Sequence, residues 1–277
     1  MTNTELTLLT VESFNDKAKF PFLKRVKLVN LTEEEIPETV GTVIVADVVE
    51  GEEEPFTGTF EFVPMAVPNI KCGVTLKDRN TERLKSIAQS LGIATNQRLN
   101  ELVVAFMVGS STRLGFYVKS QVSEDLHVEA KPTLESIAEK VNQLKEVSKV
   151  KYDRATLSSA LLSALTGETG VVQAKKVFKA STGLKVEVDD TYFRERNKSG
   201  DGSVKIPTIP ENKIILSNSK YDNSDIFYLA NLPVNEPVLE NEEHGLVAYT
   251  TEKHAWSVIR AIPIMKEPTT FASITCK

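Results

Sequence analysis

Hydrophobic and polar positions change period several times along this chain, and each change marks a predicted element. Residues 42–49 are rich in β-branched side chains, and residues 56–62 alternate, with Phe56, Phe60 and Phe62 on one face. Both patterns are those of half-buried strands. Residues 38–65 therefore predict one long β-hairpin, ended by Pro64 and Pro68, with residues 50–55 at its tip. Strands of about eight residues reach roughly 26 Å at about 3.3 Å per residue. A two-stranded ribbon is marginal alone in water, so one with an apolar face must pack on something. It is either an ordinary surface hairpin or an arm lying across a neighbouring subunit.

Helical spacing follows. Leu84, Ile87, Ala88 and Leu91 form one stripe over residues 81–91, with Asn80 as cap and Gly92 as stop. A second helix is expected from Asn96, capped by Thr95, with Leu99, Leu102, Val103, Phe106 and Met107 inward. Beyond about residue 125 the pattern turns mixed. Strands are expected at 126–129, 184–189, 214–216, 245–250, 257–265 and 271–275. Helices are expected after Pro132-Thr133, after Asp153 with Gly167 closing, and over 171–181 with Gly183 closing. Residues 198–202 read as a turn. Residues 1–30 show little regular period. Their basic cluster (Lys17, Lys19, Lys24, Arg25, Lys27) surrounds Phe20 and Phe22. An extended arm is expected, with both rings tucked into the body or a neighbour.

Charge sharpens the hairpin. From Thr32 to Glu54 the chain carries Glu33, Glu34, Glu35, Glu38, Asp47, Glu50, Glu52, Glu53 and Glu54, with no Lys or Arg. The whole chain, at 277 residues and net −5, has no global basic field to hold nucleic acid. A container wall, however, must not stick to what it encloses. Cys72 and Cys276 alone make neither a disulfide framework nor a zinc site. The N-terminus lacks a signal-peptide pattern and no stretch is apolar enough for a membrane span, so a reduced, intracellular setting is expected.

Candidate chemistry is sparse. His127, His244 and His254 lie far apart without a companion motif, and no nucleophile elbow, phosphate loop or dinucleotide fingerprint occurs. Asp189-Asp190 with Glu195 reads as a solvated strand end in preference to a cation site. Trp256 reads as a core or interface anchor. No catalytic, cofactor-binding or metal-binding residue is assigned, and the expectation is a protein that is not an enzyme.

The order of elements resembles that of the major capsid proteins of tailed bacteriophages, whose fold encapsulin nanocompartments share. The most specific likeness is Val177-Phe178-Lys179-Ala180-Ser181-Thr182-Gly183-Leu184-Lys185-Val186-Glu187-Val188-Asp189-Asp190-Thr191-Tyr192, a Gly-bounded helix before a strand that ends near Asp and Tyr. Ile206-Pro207-Thr208-Ile209-Pro210-Glu211-Asn212-Lys213-Ile214-Ile215-Leu216 is similar to the proline-containing approach to the next core strand. Ala261-Ile262-Pro263-Ile264-Met265 and Phe271-Ala272-Ser273-Ile274 resemble the family's last strands.

The resemblance implies an α+β phage major-capsid fold. Residues 1–35 would be an N-terminal arm and 36–75 an extended β-hairpin loop. Residues 76–121 and 236–277 would form a peripheral domain with a long spine helix, and 122–235 an α/β axial domain. It implies a head protein that self-assembles, through hexamers and pentamers, into an icosahedral shell around double-stranded DNA. Partners would be a portal, a cement protein and, because the arm begins almost at Met1, either a separate scaffolding protein or an early scaffolding segment that this sequence lacks. The protein would be assembled in the host cytoplasm, lie in the virion, and use no cofactor. Expected inter-subunit contacts are Glu50, Glu52, Glu53, Glu54, Phe56, Phe60 and Phe62 of the hairpin. They would meet a basic region of a neighbour, Lys71, Lys77, Arg79, Arg83 and Lys85, while Phe20 and Phe22 anchor the arm. An encapsulin-like cargo shell is the near alternative. A tail-tube protein and an intracellular enzyme with a composite site are more distant ones.

Overall fold

A computed structural model describes residues 2–17, 19–31, 69–76, 81–108, 125–128, 132–196, 203–234, 245–251, 253–267 and 270–276. The expected hairpin over 38–65 lies outside them.

The N-terminus is a helix, α1 (Asn3–Asn15), not an extended arm. Thr2 and Glu5 close a reciprocal capping box: the Glu5 amide donates to the Thr2 hydroxyl at 3.2 Å and the Thr2 amide to Glu5 at 2.8 Å. Its buried face is Leu6, Thr7, Thr10 and Phe14. The two threonines dilute the apolar stripe, which is why periodicity did not announce it. A short 3-10 turn over Leu23–Arg25 leads into strand β1 (Lys27–Asn30).

The second helix, α2 (Thr81–Val108), runs unbroken for 28 residues, about 42 Å at 1.5 Å per residue. The two helices expected on either side of Gly92 are thus one. Gly92 is required by packing: a Cβ there would stand 2.6 Å from both Ser13 Cβ and the Thr10 carbonyl oxygen, and 2.8 Å from the Phe14 nitrogen. Thr95 and Asn96 do not cap. The Thr95 hydroxyl bonds back to the Leu91 carbonyl at 2.8 Å, and Asn96 donates to the Phe14 carbonyl at 2.7 Å. Asn96 thereby satisfies one of the orphan carbonyls at the end of α1.

One five-stranded sheet pairs β1, β9 (Phe227–Leu232), β11 (His254–Met265) and β10 (Leu246–Thr250) in that order, with β2 (Asn69–Thr75) also on β11. β11 is long enough to serve two partners in turn. Its first half lies between β10 and β2, and its second half pairs with β9. Ile70, Cys72, Leu229, Ala255, Ile259 and Ala261 join Leu91, Leu99, Val103, Phe106 and Met107 of α2 in the first core. α1 covers the β10 edge: the Thr7 hydroxyl donates to the Ala248 carbonyl at 2.9 Å and accepts from its amide at 3.0 Å. A covered edge cannot template pairing with another chain.

The second sheet runs β3 (Asp125–Val128), β12 (Phe271–Cys276), β8 (Lys213–Ser217), β4 (Arg154–Leu157), β5 (Lys185–Val188). Helices α3 (Leu134–Ser148), α4 (Ser159–Thr166) and α5 (Val171–Thr182) cover one face through Ile137, Val141, Leu144, Leu162 and Phe178. Gly167 and Gly183 end α4 and α5 with φ of 71° and 74°, the left-handed geometry glycine adopts without cost. Asp153 does not cap α4; Ser158 does, and the residues between form β4, buried throughout. Cys276, at the end of β12, is a buried free thiol whose pKa is pushed up to about 11 by desolvation. Two strands cross the expected division near residue 235. β9 pairs in the first sheet although it precedes the boundary, and β12 pairs in the second although it follows it. Strands β6 (Tyr192–Arg196) and β7 (Ser203–Pro207) form a separate two-stranded ribbon.

Candidate functional site

Where the two sheets meet, four charged side chains from distant parts of the chain converge. Arg25, held by the turn after buried Phe20 and Phe22, enters the face of the second sheet opposite α3–α5. Its Nε donates to the Pro21 carbonyl at 2.8 Å, and Nη1 and Nη2 reach the Ser217 and Thr156 hydroxyls at 3.3 and 3.5 Å. Glu187 on β5 lies 3.5 Å from Arg25 Nε and 3.7 Å from Arg154 Nε. Asp222 accepts from Arg154 Nη1 at 3.0 and 2.7 Å and stands 3.8 Å from Arg25 Nη1. Both arginine side chains are over nine-tenths buried, at 9% and 8% exposure. Burial lowers the Arg25 pKa, with Glu187 the largest opposing influence. Arg25 comes from the turn that leads into β1, Asp222 from the turn before β9, and Arg154 and Glu187 from the second sheet. The cluster fastens one sheet to the other. It contains no nucleophile and no polarised base, so its chemistry is electrostatic.

A second buried polar node ties α2 to the foot of the β6–β7 ribbon. Asp189, 3% exposed, accepts from the Thr191 amide at 3.0 Å, the Thr191 hydroxyl at 2.5 Å and Asn100 at 3.4 Å. The Thr191 hydroxyl also bonds Thr208 at 3.0 Å, and Gln97 donates to the Tyr192 carbonyl. The expected solvated strand end is therefore a buried one, because the chain turns inward against α2. Asp190 serves differently, accepting from the Ser159 amide at 2.8 Å at the start of α4. Burial raises the Asp189 pKa, against the hydrogen bonds from Thr191 and Asn100. The folded state then holds this proton more tightly than the unfolded chain. Stability from this group is present at low pH and is lost as pH rises from about 4 through the raised value. Asp189→Asn is expected to lose that dependence, so its stability relative to wild type improves between about pH 4 and pH 8. Urea midpoints that keep the same offset at both pH values would show that burial does not govern this carboxyl.

On the exposed side of the first sheet, Lys71 of β2 lies beside two rings, its Nζ 5.0 Å from the Trp256 centroid and 5.3 Å from that of Tyr249. Trp256 lies over Gly73, where a Cβ would meet the ring at 2.1 Å. His254 stands 5.5 Å from Trp256 between centroids. Trp256 is thus a half-buried surface element backed by a glycine, not a core residue.

Of the expected contact residues, Glu50, Glu52, Glu53, Glu54, Phe56, Phe60, Phe62, Lys77 and Arg79 lie outside the described residues. Arg83 belongs to α2, while Lys71 and Lys85 are exposed. Phe20 and Phe22 are buried in the chain's own first core at 4% and 1% exposure. A cleft of about 230 Å³ between α4 and α5 offers one carboxylate, Glu168, among small and apolar side chains. Among the described residues, no three His, Cys, Asp or Glu are placed to hold a metal ion, and no helix is long and apolar enough to cross a membrane. Sequence reading missed the four-residue cluster, which has no local motif. It also missed α1, for which Thr2-x-x-Glu5 was an available signal.

No protein-family model matches the sequence, and no curated protein does. Solved structures do. A phage-related protein from Bordetella bronchiseptica RB50 matches with a TM-score of 0.55 at 10% identity, covering 99% of this chain and 97% of that one. The virus-like particle from Pyrococcus furiosus matches with a TM-score of 0.53 at 14% identity, covering 98% of both chains.

Proposed function

We propose that this chain, which has the fold of phage major capsid proteins and encapsulins, is the subunit of an icosahedral shell enclosing a tailed-phage DNA genome. One observation carries the reading: the likeness to the Bordetella and Pyrococcus proteins runs nearly end to end in all three chains, at 97% coverage or more. A shared module inside an unrelated enzyme would cover only part of one of them. The role is structural. α2 serves as the spine of a peripheral domain and the second sheet as the core of an axial domain. The connecting loop falls within residues 36–68, through Glu50, Glu52, Glu53, Glu54, Phe56, Phe60 and Phe62, and not over the expected 36–75, because 69–75 are the core strand β2. Burial of the phenylalanines contributes about 25 cal/mol per Å² before association costs, and exposed ion pairs chiefly set register. Repeated heterologous contacts close the shell by symmetry. The net charge of −5 suits a wall that encloses DNA without reading it. A scaffolding protein, a portal and a cement protein are the expected partners, with assembly in the host cytoplasm and final residence in the virion.

Negative-stain microscopy of the purified protein tests this. Closed particles of uniform size are expected, and a single small species at every salt and protein concentration would overturn the reading. Deleting residues 50–55 and shortening both flanking strands is expected to leave a folded subunit that forms no particles. Particles of normal size from that variant would remove the loop from its connecting role. A cargo shell of the encapsulin kind is the second reading, favoured by the likeness to the Pyrococcus virus-like particle. Packaged protein without a genome inside the particles decides for it.

A further inference from the structure

The negative charge of this chain is concentrated in one place. Residues 32–54 carry nine carboxylates and no Lys or Arg, so removing them from a net charge of −5 leaves +4 on the rest. Part of that excess sits on the β6–β7 ribbon. Within β6 and β7 the sequence holds Arg194, Arg196 and Lys205 against Glu195 alone. In the antiparallel register Arg194 stands opposite Lys205, and like charges directly opposite weaken a strand pair. Lys205 is exposed, and its Nζ lies 4.6 Å from the centroid of the Tyr192 ring, itself 38% exposed. The ribbon pairs with neither large sheet, and two strands alone are marginal in water. Its foot is nevertheless fixed to α2 by Gln97 and by the Asp189–Thr191–Asn100 node. A cationic, aromatic ribbon on a rigid foot is built to receive something negative.

We propose that the β6–β7 ribbon receives the acidic segment 50–54 of a second copy of this chain. The proposal rests on the shell-subunit reading and names the surface that the connecting loop meets. Each copy brings one acidic segment and one ribbon, so the contact is head-to-tail and equal in number, as a closed ring requires. It also moves the receiving surface away from the stretch expected around Lys71, whose ammonium already faces Trp256 and Tyr249. A nucleic acid is the less suitable anion, because a chain of net −5 repels a long polyanion. A short acidic segment avoids that penalty.

The test is a charge exchange in the full chain. Arg194→Glu, Arg196→Glu and Lys205→Glu together are expected to raise the critical concentration for particle formation by about tenfold or more at low salt. Circular dichroism should stay unchanged. Adding Glu50→Lys, Glu52→Lys and Glu53→Lys to the same chain is expected to bring particles back. Lys205→Glu alone, at an exposed side chain, is the second variant should the triple one fold poorly; it is expected to give a smaller rise relieved by the same three lysines. If wild type assembles and the ribbon variants assemble at the same concentration, this assignment falls and the shell reading stands. Folded ribbon variants that stay unassembled after the lysine exchange overturn the pairing. So do ribbon variants that assemble normally yet lose retention on duplex DNA, which would make the ribbon a nucleic-acid contact. If wild type forms no particle at all, the shell reading falls and takes this proposal with it.

Discussion

Replacing Glu187 with Gln should destabilise the protein by about 3 kcal/mol, among the largest losses available to a single side chain here. The reason is the asymmetry of buried ion pairs. Bringing four charges out of water is costly, and their mutual attraction roughly offsets it while all four are present. Remove one carboxylate and Arg25 and Arg154 remain, over nine-tenths buried, with Asp222 as the carboxylate in ion-pair reach of both among the described residues and Asp153 a weaker influence on Arg25. The distances of 3.5 to 3.9 Å from Glu187 to Arg25, Arg154 and Lys24 are ion-pair distances without good hydrogen bonds. That places the cost at the lower end of the range for broken buried pairs. For a chain of this size it corresponds to roughly 6–12 °C in Tm. Arg25→Met combined with Glu187→Gln restores charge balance and should recover part of the loss, which a double-mutant cycle reads directly. A Gln variant within about 1 kcal/mol of wild type in urea unfolding would mean that water screens the cluster and that the sheets are fastened by apolar packing alone.

That cluster also marks the limit of what the sequence discloses. Elements with a regular apolar period or a short apolar run were legible: α3, α5, β8, β10, β11 and β12 lie within a few residues of where the sequence pattern put them. Helix α2 was legible as a helix but not as one helix. Gly92 reads as a stop unless one knows that another helix presses its backbone against that position. α1 was hidden because Thr7 and Thr10 occupy its buried face, and their value lies in bonds to the Ala248 backbone and the Leu6 carbonyl that no pattern contains. β4 was taken into a helix because Arg154 and Thr156 are polar yet buried, facing the Arg25 cluster. Arg25, Arg154, Glu187 and Asp222 carry no common spacing, since three different connections bring them together. Polar residues are legible when they act on near neighbours, as at Thr133, which opens α3, and illegible when they act across the fold.

Gly92→Val tests a steric demand set mostly by backbone atoms, and two opposing effects decide its sign. Replacing a mid-helix glycine ordinarily stabilises, by up to about 1 kcal/mol for alanine and less for valine. Here the added Cβ would stand 2.6 Å from Ser13 Cβ and the Thr10 carbonyl oxygen and 2.8 Å from the Phe14 nitrogen. Two of those three atoms are backbone, so no rotamer change relieves the clash and α1 itself must withdraw. Overpacking of that kind costs about 1–3 kcal/mol. Withdrawal also strains the Asn96 bond to Phe14 and the paired Thr7–Ala248 bonds, each worth about 1 kcal/mol. Sterics win, and the expected net loss is about 2–4 kcal/mol. The loss should be local first: amides of α1 and of β10 exchange faster while those of β8 and β12 keep their protection. Gly92→Ala should show the same pattern, weakened. Unchanged exchange in α1 with the valine variant would show that the helix pair accommodates the side chain. Uncovering β10 matters beyond stability. Its freed edge can pair with the same edge of another molecule; under the proposed shell role this diverts chains into irregular aggregates, and particle yield should fall more steeply than the loss of fold alone accounts for.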